Sequence, residues 1–254
     1  PDYVIAKQFA DANGIRILQF VRVGRLVCIP FSLLGACGCL LWARELYGRR
    51  AALIATALWC FSPNVLAHGQ LISTDAAAAA LGVCAGYTFW RWLRRPNWLA
   101  ALVFGTVMGI AETTKTTWIL MPVLWPSIWA SERLSSAALR NLRILGYELA
   151  QMVVALCFAV YVLNTGYAFE RTCERIGQHV FVSHALRSNE TTPVRATEAG
   201  NRFTGSAVGR LRLPLPTNYL VGLDLQQREF ERRQMSYLRG RWQSGGWWYY
   251  YLYG

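Results

Sequence analysis

Lysine is almost missing from this chain. Of its 26 basic residues only Lys7 and Lys115 are lysine, and the other 24 are arginine. Charge of either sign is scarce, at 16% of 254 residues, against roughly 25% in an average soluble domain. So little charge on so apolar a chain excludes disorder, and the composition excludes collagen and a coiled coil. Seven cysteines occur without a single CxxC spacing. Cys28, Cys37, Cys39, Cys60, Cys84 and Cys157 lie in apolar runs and read as small buried hydrophobes, which excludes a disulfide scaffold. Three histidines, none at i,i+4 spacing and none beside an acidic or cysteine cluster, make a zinc site unexpected. Neither a metal nor a cofactor is expected.

What is abundant is apolar: 54% hydrophobic and 13% aromatic residues, with mean hydropathy +0.23. The net charge of +12 would by itself suit nucleic acid. The arginines, however, flank hydrophobic blocks or sit in one long polar segment, as membrane orientation requires. No nucleic-acid partner is expected.

The first block, Gly24 to Ala43, holds Arg25 near its start and no further charge. Twenty residues of helix at about 1.5 Å per residue match a bilayer core of roughly 30 Å. Five more blocks follow: Ala51 to Ala67, Ala76 to Trp92, Trp98 to Ala111, Trp118 to Ala130 and Ile144 to Tyr167. The fourth and fifth reach spanning length only if 112–117 lies within the membrane boundary, where polar residues are tolerated when they line a cavity. Trp247 to Tyr253 reads as an aromatic belt opening a seventh span. The expected fold is therefore all-α: a polytopic transmembrane bundle of about six spans plus the start of a seventh. Its parts are 1–23 as the end of an outer loop, 24–167 as the transmembrane domain, 168–246 as a long extracytoplasmic segment, and 247–254 as the start of the further span.

The turns 44–50, 91–95 and 131–143 carry three arginines each, whereas 68–75 and 112–117 share one lysine. The positive-inside rule places the first set in the cytoplasm and the second outside. The 168–246 segment exceeds the roughly 60 residues over which charge bias counts. Within it, His179 to His184 reads as amphipathic surface, and Pro214, Pro216 and Gly222 as extended or turn structure. Asn189-Glu190-Thr191 matches a glycosylation sequon, a three-residue pattern common by chance.

Among 14 acids only Asp75 stands at the mouth of a long apolar block. It serves as a helix cap, as Ser73 or Thr74 could, or as a functional carboxylate, and the two roles are compatible. His68 precedes it by seven residues. Lys115 interrupts an apolar stretch, where an ammonium needs either a partner such as Glu112 or an anionic ligand. Arg22 and Arg25 either snorkel to the interface or add to the same positive site. Asp75, His68 and Lys115 all map to the outer side. Cations there suit a departing phosphate, and a carboxylate there suits an acceptor hydroxyl.

Ser62-Pro63-Asn64-Val65-Leu66-Ala67-His68-Gly69, then Thr74-Asp75, then Gly109-Ile110-Ala111-Glu112-Thr113-Thr114-Lys115 resembles glycosyltransferase family 39. This GT-C group includes the protein O-mannosyltransferases and the lipid A aminoarabinose transferase. The preceding Arg-containing span and the Leu46-Tyr47-Gly48 turn agree, so the resemblance covers about residues 15–130. Gly222-Leu223-Asp224 and the Trp-Tyr run from Trp247 resemble the continuation in bacterial members. The resemblance implies transfer of a sugar from a polyprenyl- or dolichyl-phosphate donor to a protein or lipid hydroxyl, with inversion, at the periplasmic face of a bacterial inner membrane. It carries a catalytic role over to Asp75 and a donor-phosphate contact to Lys115, and extends to His68 as a second catalytic residue. Beside these, Arg22 and Arg25 are candidate donor-phosphate contacts, and Asn64, Gln70 and Thr74 candidate substrate contacts. The family's principal acid belongs to the first outer loop. Here that loop offers only Asp2 and Asp11 without the acidic motif, so the main base and the downstream spans are expected outside this chain. Two rival readings are a polytopic transporter, against which no inverted repeat is visible, and a non-catalytic membrane scaffold that binds a partner through 168–246.

Overall fold

The computed structural model describes residues 2–135, 142–187, 200–232 and 234–253, of which all but a few helix-end side chains are placed. The sequon at Asn189 lies outside the described residues. The chain divides into two units, Pro1–Val162 and Leu163–Gly254.

The first unit is helical throughout. Residues expected as an outer loop instead form α1 (Asp2–Asn13), one 3-10 turn (Gly14–Arg16) and the start of α2 (Ile17–Tyr47). No proline interrupts this stretch before Pro30, and its only left-handed residue is Gly14. Helices α3 (Arg49–Cys60) and α4 (Pro63–Gly69) follow, then α5 (Asp75–Arg94), α6 (Trp98–Thr114), α7 (Met121–Ser135) and α8 (Leu142–Gly166). Each break has a local cause. Gly48 at φ 88° ends α2, and Ser62 with Pro63 in the first turn opens α4. Pro96 follows α5, and Asn97 caps α6 by accepting the Ala100 N–H at 2.9 Å.

Length and hydropathy qualify fewer helices as spans than the six expected. The run Val4–Tyr47 and α8 are long and apolar enough, and α3 with α4 makes a third only if the 54° bent pair crosses as one. The second block is broken at Phe61, while α6 is apolar but 17 residues long. Large apolar side chains along α2, among them Leu18, Val23, Leu26, Val27 and Leu33, are exposed, as on a lipid-facing surface. All seven cysteines are free. Of the six expected to be buried, Cys37, Cys60 and Cys157 are exposed and Cys28, Cys39 and Cys84 are partly exposed.

The core of this unit is aromatic and tightly approached. Phe89 and Trp92 of α5 meet Phe104 and Met108 of α6, Trp129 of α7 and Met152 of α8. Gly105 and Gly109 of α6 face Ala155 and Ala159 of α8. A Cβ on Gly105 would lie 2.4 Å from the Ala155 carbonyl oxygen, and one on Gly109 2.6 Å from that of Ala159. This is the small-xxx-small crossing of membrane helices, where backbone approach replaces side-chain interlock. Several polar groups inside the bundle are paired across helices. Gln151 accepts the Trp92 indole N–H at 2.8 Å, both residues being fully buried. Glu148 accepts the Trp129 indole N–H at 2.9 Å and Arg133 Nε at 2.6 Å, and Arg133 also donates to the Leu93 carbonyl. Arg133, counted above as an orienting charge in a turn, is thus part of a buried tie between helices.

The second unit departs from an all-α fold. A hairpin pairs β1 (Met235–Leu238) with β2 (Arg241–Ser244) through Arg239 and Gly240, both left-handed, as a two-residue primed turn requires. Gly222-Leu223-Asp224, expected in a turn, lies inside helix α9 (Thr217–Glu231), which Pro216 precedes. A four-residue helix, α10 (Tyr250–Tyr253), follows the hairpin. Asp224, 1% exposed, accepts the backbone N–H groups of Val182 and Ser183, and Glu231 those of His184 and Ala185. Two carboxylates one heptad apart on α9 therefore hold four successive amides. Residues 179, 181 and 183 are buried while 180 and 184 are exposed, so the expected amphipathic stretch is an extended segment with one face inside.

Two outcomes are expected. Gly105→Val forces a methyl-bearing carbon into the backbone of α8 and costs at least 1–3 kcal/mol by roughly the scale of overpacking, read as a lower midpoint of unfolding in micelles. His179 is buried, which pushes its imidazole below the ordinary value, Glu174 opposing and Arg171 adding to the effect. An unfolded imidazole protonates near pH 6.5 while the folded one does not, so the unfolded state binds more protons and stability falls as pH drops through about 6.5. His179→Asn flattens that slope between about pH 7 and 5.5, measured by thermal unfolding across pH.

Candidate active site at the α5–α6 end of the bundle

Helices α5 and α6 run antiparallel from the short turn at 95–97, so the start of α5 and the end of α6 meet. Asp75 is the first residue of α5, and Lys115 is the first residue after α6, with extended backbone at φ −154° and ψ 127°. Lys115 Nζ lies 2.8 Å from Asp75 Oδ1. His68, in the last turn of α4, brings Nδ1 to 3.7 Å from Asp75 Oδ2. Thr74 occupies the N-cap position of α5 but makes no side-chain cap bond. The Asp75 carboxylate is turned toward the Lys115 ammonium and the His68 ring.

The break that frees Lys115 has its own anchor. Residues Thr116–Leu120 form a 3-10 turn, and the Trp118 ring packs where a Cβ on Gly82 of α5 would sit, 2.3 Å away. A side chain at Gly82 would expel the ring and move the turn. Gly82 and Trp118 thus set where Lys115 stands, and neither was singled out from the sequence. The signal was a glycine inside an alanine-rich helix, which marks a close approach.

The electrostatics follow from this geometry. The hydrogen bond and charge of Lys115 hold the Asp75 carboxyl below the ordinary carboxylate range, and His68 adds a smaller contribution. All three side chains are nearly half exposed, at 42% for Lys115, 44% for Asp75 and 48% for His68. An ion pair this open contributes about 0–1 kcal/mol to stability. Its groups are accessible to a ligand, unlike the buried Arg133–Glu148 pair.

The remaining predicted residues divide. Arg25 and Gln70 line a groove of about 330 Å³ with Ser32, Trp59 and Gly69, its walls otherwise apolar from Leu26, Ile29, Leu33, Val65 and Leu66. This groove adjoins the turn that carries His68. Trp59 donates its indole N–H to the Ser32 carbonyl at 2.9 Å, while the Ser32 hydroxyl is buried without a partner. Neither residue was anticipated. Arg22, one turn before Arg25 on α2, is exposed and makes no ion pair among the described residues. Asn64 and Thr74 are exposed, with no side-chain hydrogen bond among the described residues. Among the described residues no three His, Cys, Asp or Glu side chains gather as metal ligands.

An apolar helical bundle thus presents, at one end, a half-open Asp75–Lys115 ion pair with His68 beside it and an apolar groove next to them. A family model described as dolichyl-phosphate-mannose-protein mannosyltransferase matches residues 17–162, and the chain belongs to that family. The match covers the first unit up to its last residue. Neither the curated proteins nor the solved structures give a match. Membership and the apolar helices together make the chain an integral membrane protein.

The exposed and buried ion pairs should respond differently to mutation. Asp75→Asn is expected to change stability by less than about 1 kcal/mol. Glu148→Ala, which takes the carboxylate away from the largely buried Arg133 guanidinium, is expected to cost about 3–5 kcal/mol. Unfolding midpoints of the two variants in one detergent check the contrast.

Proposed function

We propose that this chain carries the donor-phosphate end of a membrane mannosyltransferase that moves mannose from a dolichyl- or polyprenyl-phosphate carrier to an acceptor hydroxyl. The observation that carries the reading is the juxtaposition of Lys115, Asp75 and His68 in a chain of this family. Breaking the bond between the sugar and the phosphate oxygen leaves negative charge on the lipid phosphate. Lys115, positioned by its hydrogen bond to Asp75, offers that oxygen a preorganised ammonium, the kind of group that lowers a barrier when placed where charge develops. The ammonium has three donors, so it can keep Asp75 while taking a phosphate oxygen.

His68 faces Asp75 with Nδ1, which leaves Nε2 for an acceptor hydroxyl. A carboxylate behind an imidazole orients it and stabilises the imidazolium once the proton is taken. Asp75 thus serves both neighbours, and a carboxylate so strongly paired is a weak base on its own. Arg25 and Gln70 meet the headgroup at the polar end of the groove on α2, and the apolar wall receives the start of the prenyl chain. Arg22, Asn64 and Thr74 complete the rim.

Direct attack by the hydroxyl inverts the anomeric carbon. The arginine-rich turns place the opposite end of α5 in the cytoplasm, so this site faces outward, to the periplasm in a bacterial inner membrane. The six-span count belongs to the same proposal. It adds α5, α6 and α7, each as one span, to α2, α8 and the bent α3–α4 pair.

With a dolichyl-phosphate-mannose donor in proteoliposomes, Lys115→Ala is expected to lower mannosyl transfer by about 100-fold or more, the scale of removing one charge-stabilising donor. His68→Gln is expected to shift the pH profile of transfer. Unchanged turnover in Lys115→Ala, with the protein folded and inserted, overturns the phosphate role.

A further inference from the structure

The other end of α5 carries a second polar cavity, distinct from the site above. Twenty residues of helix separate Asp75 from Arg94, about 30 Å at 1.5 Å per residue. This end therefore lies at the opposite membrane boundary. A cavity of about 760 Å³ opens there, lined among others by Glu45, Arg91, Arg94, Arg95 and, at the start of α6, Asn97, Leu99 and Ala100, with Val103 one turn further.

Its charges are unbalanced. Glu45 accepts the Tyr87 hydroxyl at 2.6 Å and stands 4.0 Å from Arg91 Nε, and the Arg91 guanidinium lies over the Tyr87 ring. One carboxylate is thereby shared between a tyrosine and one arginine. Arg94 and Arg95 are exposed and make no side-chain hydrogen bond or ion pair among the described residues. Arginines in the last turn of α5 suit its dipole. The same cavity, however, takes in the N-terminus of α6, whose dipole end is positive. There Asn97 accepts the Ala100 N–H and its carbonyl that of Ala101, while those of Trp98 and Leu99 find no acceptor among the described residues. Three guanidinium groups against a positive helix end repel one another unless an anion sits between them. Beside them Leu99 and Val103 continue an apolar strip along α6, both exposed.

We infer that this cavity binds an anionic phospholipid, its phosphate between Arg94, Arg95 and the first-turn amides of α6, and an acyl chain along Leu99 and Val103. Basic pockets between membrane helices hold anionic headgroups in this way. The inference rests on membrane insertion and not on the mannosyl-transfer reading.

The test is native mass spectrometry of the purified protein in detergent, equilibrated with phosphatidylglycerol, phosphatidylcholine or inorganic phosphate. Phosphatidylglycerol is expected to be retained in preference to phosphatidylcholine and not displaced by inorganic phosphate. R94Q/R95Q, which removes two exposed side chains without a bonded partner, is expected to weaken retention about 30-fold, roughly fivefold per arginine. Val103→Trp fills the groove without changing charge and is expected to weaken it as well. R210Q/R228Q, a charge-matched control in the second unit, is expected to stay within about twofold of wild type, since screening confines such charges to their surroundings. Equal retention of the two lipids, full retention by R94Q/R95Q, or an equal loss in the control overturns the inference. Displacement by inorganic phosphate overturns the lipid assignment and leaves a free-phosphate site.

Discussion

The first unit depends on the antiparallel pairing of two helices of nearly equal length. Helix α5 has 20 residues and α6 has 17, joined across three residues. At about 1.5 Å per residue the mismatch is roughly one turn. Their far ends therefore meet, and Asp75 can reach Lys115 across 40 positions of sequence. At the near end the same turn sets the arginines of α5 against the N-terminus of α6. Both polar sites are consequences of one helical hairpin, and neither needs a long loop to form.

Close backbone approach holds this hairpin in register. Gly105 and Gly109 bring α6 against α8, Gly82 admits the ring of Trp118, and Gly86 faces the ring of Trp42. In lipid there is little hydrophobic gain from bringing helices together, so shape and buried polar bonds must do it. The Trp92–Gln151 and Trp129–Glu148–Arg133 contacts supply those bonds. The contrast with Asp75 and Lys115 is energetic. Where a charge is enclosed, removing its partner is ruinous; where a charge is half open, the pair adds little stability and remains available to a ligand.

The second unit is organised by different means. It lies beyond the residues matched by the family and is built largely from loops, which leave backbone donors to satisfy. Helix α9 answers this with side chains, presenting Asp224 and Glu231 to four consecutive amides of residues 182–185. Four non-glycine residues between Ala168 and Cys173 take left-handed backbone. Nearby, Asn164 accepts the Thr172 hydroxyl and donates to the Pro214 carbonyl, and Thr217 donates to the Arg171 carbonyl. Such conformations persist only where the surroundings over-determine them.

By itself the sequence determined the apolar, arginine-flanked character of the chain, most of its helices in the first unit, and the motif residues Asp75, His68 and Lys115 with their family. Composition and apolar runs carry that information because they are local. Helix ends were legible where a breaker marked them, as at Gly48 and Pro96, whereas the break before Pro63 was read through. The hairpin after α9 was missed because two short strands around Arg239-Gly240 carry a weaker signal than a span. Only the tertiary structure decided that Lys115 meets Asp75, that Trp118 rests on Gly82, that Arg133 is buried with Glu148, and that the α5–α6 turn encloses a cationic cavity. Periodicity states which face of an element is apolar. It does not state which element that face will meet, because that choice depends on helix lengths and backbone approach summed over the whole bundle.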